Sequence, residues 1–242
     1  MSIVLSIIAN IYYNYLSTDK IIRISLDILP ISIILMFYAL VTGLYHGLVS
    51  SPPDYQMGET VRIMYVHVPA VYGAILCYFV LFVSSIFTFF KKSYLAYISS
   101  RAIAPIGFTL TSLGLFAGMV WGYPTWGTWW VWDARLTSFF VLWLFYLVYL
   151  VSNYIYDKKN SDANFIHLIN IIGFINVPII KFSVNWWATL HQAPTLIRSG
   201  GASINHGMFV ALMWMLGFMT LFILSVFILR LNSWHFMKGK NK

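Results

Sequence analysis

Charge is what this chain has least of. Asp, Glu, Lys and Arg together make up only 9% of its 242 residues, where a soluble domain carries about 25%. In their place 60% of the residues are apolar and 19% aromatic, with a mean hydropathy of +0.77. A surface that poor in charge excludes an ordinary water-soluble globule and points to lipid as the surrounding medium. Cysteine is nearly missing. The single Cys77 excludes an internal disulfide and any metal site built on a cysteine pair, and it reads as packing within an apolar run. Catalytic signatures are missing as well. There is no G-x-x-x-x-G-K-[ST], no H-E-x-x-H and no Ser/His/Asp pattern, so neither nucleotide hydrolysis nor any other enzymatic activity is expected. The long apolar runs hold no acidic residue at mid-span, which argues against proton-coupled transport.

What is present is a set of six such runs. Each is close to the roughly 20 residues that a span needs. They predict an all-α integral membrane protein with six transmembrane helices, over 29–50, 66–90, 102–121, 136–156, 165–182 and 205–229. The formal charge of +8 resolves into sidedness rather than a nucleic-acid surface. Lys20, Arg23, Lys91, Lys92, Arg101, Lys158, Lys159, Arg230, Lys238, Lys240 and Lys242 fall on one side, and Arg62, Arg135, Lys181 and Arg198 on the other. The positive-inside rule then places both termini in the cytoplasm or its equivalent. Residues 1–28 read as a cytoplasmic or interfacial segment, 29–229 as the six-helix domain and 230–242 as a cytoplasmic tail. Met1–Thr18 has no basic leading region and reads as an interfacial helix, with an extra span as the alternative.

The loops after the first, third and fifth helices face outward and hold the unusual residues. After the third helix, Trp121, Trp126, Trp129, Trp130 and Trp132 fall within twelve residues. Gly122, Pro124 and Gly127 are expected to break regular helix there. An aromatic belt at the headgroups needs one or two rings per helix end. Five suggest an apolar platform for a large flat ligand. Asp133 stands where it would cap the fourth helix and could also order the loop.

His67 and His191 lie on the same outer side, flanking this loop. Imidazole is a usual axial ligand of haem iron, and two of them on opposite faces complete six-coordinate iron. His46 and His206, near outer helix ends, are spare candidates. His167 and His235 read as inner-side surface residues. Arg62 and Arg135, with Arg198, are candidates for binding carboxylates such as haem propionates, the alternative being lipid headgroups or local ion pairs. There is no C-x-x-C-H sequence, so haem would be held without the c-type covalent bonds.

The run Trp-Gly-Tyr-Pro-Thr-Trp-Gly-Thr-Trp-Trp-Val-Trp-Asp-Ala-Arg-Leu-Thr-Ser (121–138) closely resembles the tryptophan-rich WWD signature of the haem-handling proteins of cytochrome c maturation. Arg-Ile-Met-Tyr-Val-His-Val-Pro-Ala (62–70) and Ser-Val-Asn-Trp-Trp-Ala-Thr-Leu-His-Gln (183–192) narrow the resemblance to the compact haem exporter protein C type. The resemblance implies that haem b is held transiently at the outer face of a bacterial inner membrane, or a mitochondrial one. The tryptophan loop and two axial histidines, matched by His67 and His191, would hold it. It implies delivery to a membrane-anchored haem chaperone. It also implies work with the ATPase and membrane subunits of an ABC transporter and with a small single-span subunit. A bis-histidine electron-transfer cytochrome is the main alternative, and a plain permease subunit a second.

Overall fold

The computed structural model describes residues 17–159, 164–187, 189–191 and 204–239. The first sixteen residues, Arg198, Gln192, Lys240 and Lys242 lie outside that range, so the expectations for them are not addressed by it. The helices are α1 (Thr18–Tyr45), α2 (Met64–Lys91), α3 (Tyr94–Trp126), α4 (Ala134–Lys159), α5 (Asn164–Gly173), α6 (Asn176–Trp186) and α7 (His206–Gly239). There is no β-strand among the described residues. Six segments are long and apolar enough to cross a membrane, α5 and α6 together forming the fifth. In lipid only a helix can satisfy its own backbone, which is why each apolar run closes into one.

Hydropathy marks the lipid-facing part of each helix, but the helices run further. α1 begins at Thr18, ahead of Lys20 and Arg23, and α7 continues past Arg230. Charged ends do not stop a helix that extends out of the hydrocarbon. The fifth span does break, at Phe174–Ile175. Pro178 has no N–H to donate back to Phe174 and its ring opposes that carbonyl. Tighter bonds, Ile175 N to Ile172 O at 3.1 Å and Val177 N to Phe174 O at 3.0 Å, take over the turn.

The core lies where α2, α3, α4 and the fifth span meet. Tyr78, Tyr146, Leu81, Ile103 and Leu142 are buried there, with Cys77 among them as packing. Tyr146 donates to the Ala74 carbonyl of α2 at 2.8 Å. Its ring lies against Gly107 of α3, where a methyl group would come 2.1 Å from Tyr146 Oη. α1 is peripheral. It packs along α7 through Gly43 against Met215 and through Ser32 and Ser225, whose hydroxyls are 2.9 Å apart.

The basic end of the bundle is tied by polar contacts. Arg101, 6% exposed, pairs with Asp157 and donates to Asn153 on α4. Its guanidinium also lies 4.5 Å from the ring centre of Trp234 on α7. His235 meets Asp19 at 3.1 Å. His167 is not the surface residue expected. It is 1% exposed, because α5 turns Ile166, His167 and Asn170 toward the core. There its imidazole sits 3.3 Å from Ser85 Oγ.

Substituting Gly107 by Val should therefore abolish correct packing of α2, α3 and α4, at a cost of about 3 kcal/mol or more for an overpacked core. Size-exclusion profiles and thermal unfolding of the detergent-solubilised protein would read the loss. A variant as stable as the parent would contradict this account of the core.

Candidate functional site

The end opposite Arg101 gathers the residues that the sequence singled out. α1 ends there in a π-helical turn, His46–Ser50. Gly47 in that turn lies against the ring of Tyr65, where a methyl would fall 2.9 Å from Cδ2, and Tyr65 Oη donates to Ser51 Oγ at 2.9 Å. Arg62 donates to the Gly47 carbonyl and pairs with Glu59 at 2.5 Å. Arg62 thus staples the end of α1 to the segment leading into α2. Beneath, Val61, Met64 and Tyr65 pack with Met208, Ala211 and Leu212 of α7, and Trp121 leans on the same cluster. The start of α2, which carries His67, is fixed from three sides.

The helix break expected at Gly122 and Pro124 occurs later. α3 runs through both to Trp126. Pro124 falls in the last turn, where little helix remains to be disrupted, and Thr125 Oγ1 bonds the Trp121 carbonyl at 2.7 Å. Gly127 ends the helix with φ of +74°, a left-handed conformation that favours glycine. Trp121 and Trp126 are consequently helical, and only Trp129, Trp130 and Trp132 belong to the linking loop.

His67 and His191 are both held through Nδ1. His67 Nδ1 lies 3.0 Å from the Gly114 carbonyl of α3. A carbonyl only accepts, so the proton sits on Nδ1 and Nε2 keeps its lone pair. His191 Nδ1 lies 3.2 Å from Asp133 Oδ2, and the same argument frees its Nε2. Neither Nε2 has a hydrogen-bond partner among the described residues. Asp133 caps α4 as expected, its other oxygen accepting from the Leu136 N–H at 2.8 Å. Arg135, in the first turn of α4, lies within electrostatic range of both imidazoles. It forms no ion pair with Asp133 among the described residues. Burial, and then the Arg135 charge, hold the His191 pKa below the ordinary 6.5, against the opposing pull of Asp133.

The five indoles divide among several surfaces rather than forming one flat shelf. Trp121 meets the His67 ring edge-on at 5.7 Å, and Trp126 meets His191 at 4.9 Å. Trp129 stacks on Tyr123 at 4.5 Å. Trp130 and Trp132 turn to Phe140 of α4. With Trp143, Ser112, Leu115, Phe116 and Met119 they line a lateral apolar groove of about 490 Å³. Trp132 is 73% exposed. His46 and His206 make no ring contact with His67 or His191, and Lys181 is exposed on α6. Gly114 and Gly118, which sequence reasoning passed over, contact the site directly. Their four-residue spacing, in register with Trp121 on one helical face, was the available signal.

The sequence model of the family described as "Heme exporter protein C" matches residues 11–241. Heme exporter protein C of Bradyrhizobium diazoefficiens is 40% identical over 185 residues, 76% of this chain and 70% of that protein. The namesake in Escherichia coli strain K12 is 38% identical over 183 residues, 75% and 74% of the two chains. A ccmC-like mitochondrial protein of cytochrome c biosynthesis from Marchantia polymorpha is 43% identical over 168 residues, 69% and 71%. With the family's sequence model matching residues 11–241 and relatives at 40% and 38% identity, the chain belongs to the haem exporter protein C family.

Proposed function

We propose that this protein holds haem non-covalently at the outer face of the membrane, with His67 and His191 as axial ligands to iron, and passes it to a membrane-anchored haem chaperone. Haem handling for cytochrome c maturation rests on the family. The observation that carries the site is the paired Nδ1 anchoring of His67 and His191, which leaves two lone pairs for iron at one end of the bundle. Haem here is cargo. Trp121 and Trp126, each edge-on to one of the two imidazoles, supply apolar contact beside them. Arg135 is suited to a propionate, since Asp133 is already committed to Leu136 and His191. The indole N–H groups of Trp121 and Trp130 are buried without an acceptor among the described residues. Unpaired buried donors are costly, and carboxylate oxygens on the cargo would relieve them.

The positive-inside distribution puts this end outside and the Arg101 end in the cytoplasm, in a bacterial inner membrane or a mitochondrial one. An ABC transporter, through its ATPase and membrane subunits, and a small single-span subunit complete the assembly on this reading.

Three outcomes test it. First, His67→Ala and His191→Ala should each remove the low-spin bis-imidazole spectrum of the purified protein and lower haem retention by about tenfold or more. Unchanged spectra in both would remove the ligand assignment. Second, Asp133→Asn should separate the two jobs of that side chain. Asparagine caps helices as well as aspartate, so thermal stability should hold. Haem affinity should drop by about tenfold as His191 loses its carboxylate partner, and an affinity equal to the parent's in a haem titration would contradict this. Third, protonated imidazole cannot bind iron, so haem should be lost as the pH falls. Burial and the Arg135 charge lower the His191 pKa, which extends the neutral form to lower pH than an ordinary imidazole allows. Arg135→Gln removes one cause of that lowering, so its haem-release midpoint should move to higher pH in a spectrophotometric titration. A midpoint shifted downward would refute the charge argument.

A further inference from the structure

Glycine inside a helix is a weak helix former, so Gly118 in the apolar body of α3 calls for a steric reason. The structure supplies one. A methyl group at position 118 would lie 3.0 Å from His67 Cε1 and 3.4 Å from His67 Nδ1. Four residues earlier on the same face, the Gly114 carbonyl takes the Nδ1 proton at 3.0 Å. Three residues later, Trp121 closes on the ring edge-on at 5.7 Å. The His67 ring therefore rests in a notch on α3, with Gly118 as its floor, a backbone acceptor at one end and an indole at the other.

Geometry at the neighbouring glycine sharpens the point. A methyl on Gly114 would meet Val71 and Phe139, both at 3.2 Å, rather than the imidazole. Gly114 serves the packing of α2 and α4 on α3 and lends its carbonyl. Gly118 serves the imidazole alone, since only His67 atoms lie within 4 Å of the missing methyl. A methyl in the notch would push the ring by a few tenths of an ångström, strain its bond to Gly114, or both. The first displaces Nε2, and the second frees the tautomer that keeps the Nε2 lone pair available.

We propose that Gly118 is a positioning residue for haem ligation: its missing side chain seats His67 against the Gly114 carbonyl and so aims Nε2 at the iron. The inference rests on the reading of His67 as an iron ligand, and the experiment separates the two.

The full-length protein would be purified from membranes with the haem it carries, as the parent and as Gly118→Ala, His67→Ala, the double variant and Gly217→Ala. Gly217 is a helical glycine with nothing within 4 Å of an added methyl, so it controls for helix propensity. Gly118→Ala should retain about tenfold less haem and shift the remainder from a low-spin toward a high-spin spectrum. Added imidazole should restore the low-spin form by taking the place His67 has left, a response that a general packing defect does not give. Gly217→Ala should match the parent.

If Gly118→Ala keeps parental haem content and spectrum while His67→Ala has lost both, the positioning role is overturned and the ligand assignment stands. If His67→Ala itself keeps the low-spin spectrum, the ligand reading falls and the positioning role falls with it. Should Gly118→Ala fail to accumulate, the double variant decides. Recovery to the level of His67→Ala alone identifies the methyl–imidazole contact as the fault and supports the proposal. Equal failure of both overturns it.

Discussion

An imidazole can offer a metal a lone pair in a fixed direction only if its other nitrogen is held, and on the proposed reading that constraint organises the end of the bundle opposite Arg101. His67 is held by a carbonyl in the middle of α3, and His191 by a carboxylate at the start of α4. Both anchors stand on helices that the apolar core has already fixed relative to α2. The precision of the site is thus inherited from Tyr146 packed against Gly107 and from the interlock of α2 with α7 beneath Trp121. A binding constellation is only as exact as the shell that supports it. Here that shell is the membrane-spanning core itself.

Much of this was legible in the residues because lipid imposes so few solutions. Apolar runs of about 20 residues must be helices, and all six spans were readable from them. Asp133 could be read as a cap from its place before an apolar run, whereas its second bond, to His191 beyond α6, joins segments far apart in the chain and had no local signal. The helix ends were less legible, because hydropathy reports the thickness of the hydrocarbon and not where hydrogen bonding stops. The break at Phe174 was missed for a related reason. A proline in the first turn of a new helix and one inside a continuous helix look alike in a hydropathy profile. His167 was misplaced because its short amphipathic helix turns a polar residue inward to meet Ser85 and Asn170, a partnership between spans that no local pattern encodes.

The tryptophan loop shows where density of a residue type stops being informative. Five indoles in twelve residues announce an apolar surface, but not how it is divided. Gly127, with its positive φ, decides that. By delaying the end of α3 until Trp126, it leaves Trp121 and Trp126 on a rigid helix, one beside each imidazole, and sends Trp130 and Trp132 out to the lateral groove with Phe140. The indoles that touch the imidazoles are helical, and the two indoles of the tryptophan run that line the lateral groove are in the loop.

The two anchored imidazoles are not equivalent, and on the proposed reading the difference suits a site that must let go. His67 stands on α2, seated on α3 and braced by Trp121 of the same helix, so it cannot retreat without disturbing two spans. His191 lies beyond the end of α6, and its described hold on the bundle is the bond to Asp133 together with the edge of Trp126. Burial and the Arg135 charge work against protonation of His191, while its bond to Asp133 favours it. On the proposed reading, iron therefore meets one ligand whose strength comes from rigidity and one whose strength comes from electrostatics. The second kind of strength can be withdrawn by a change in charge or hydrogen bonding at Asp133 and Arg135, with no span unfolding. A resident haem gains nothing from that arrangement, whereas a haem in transit needs it.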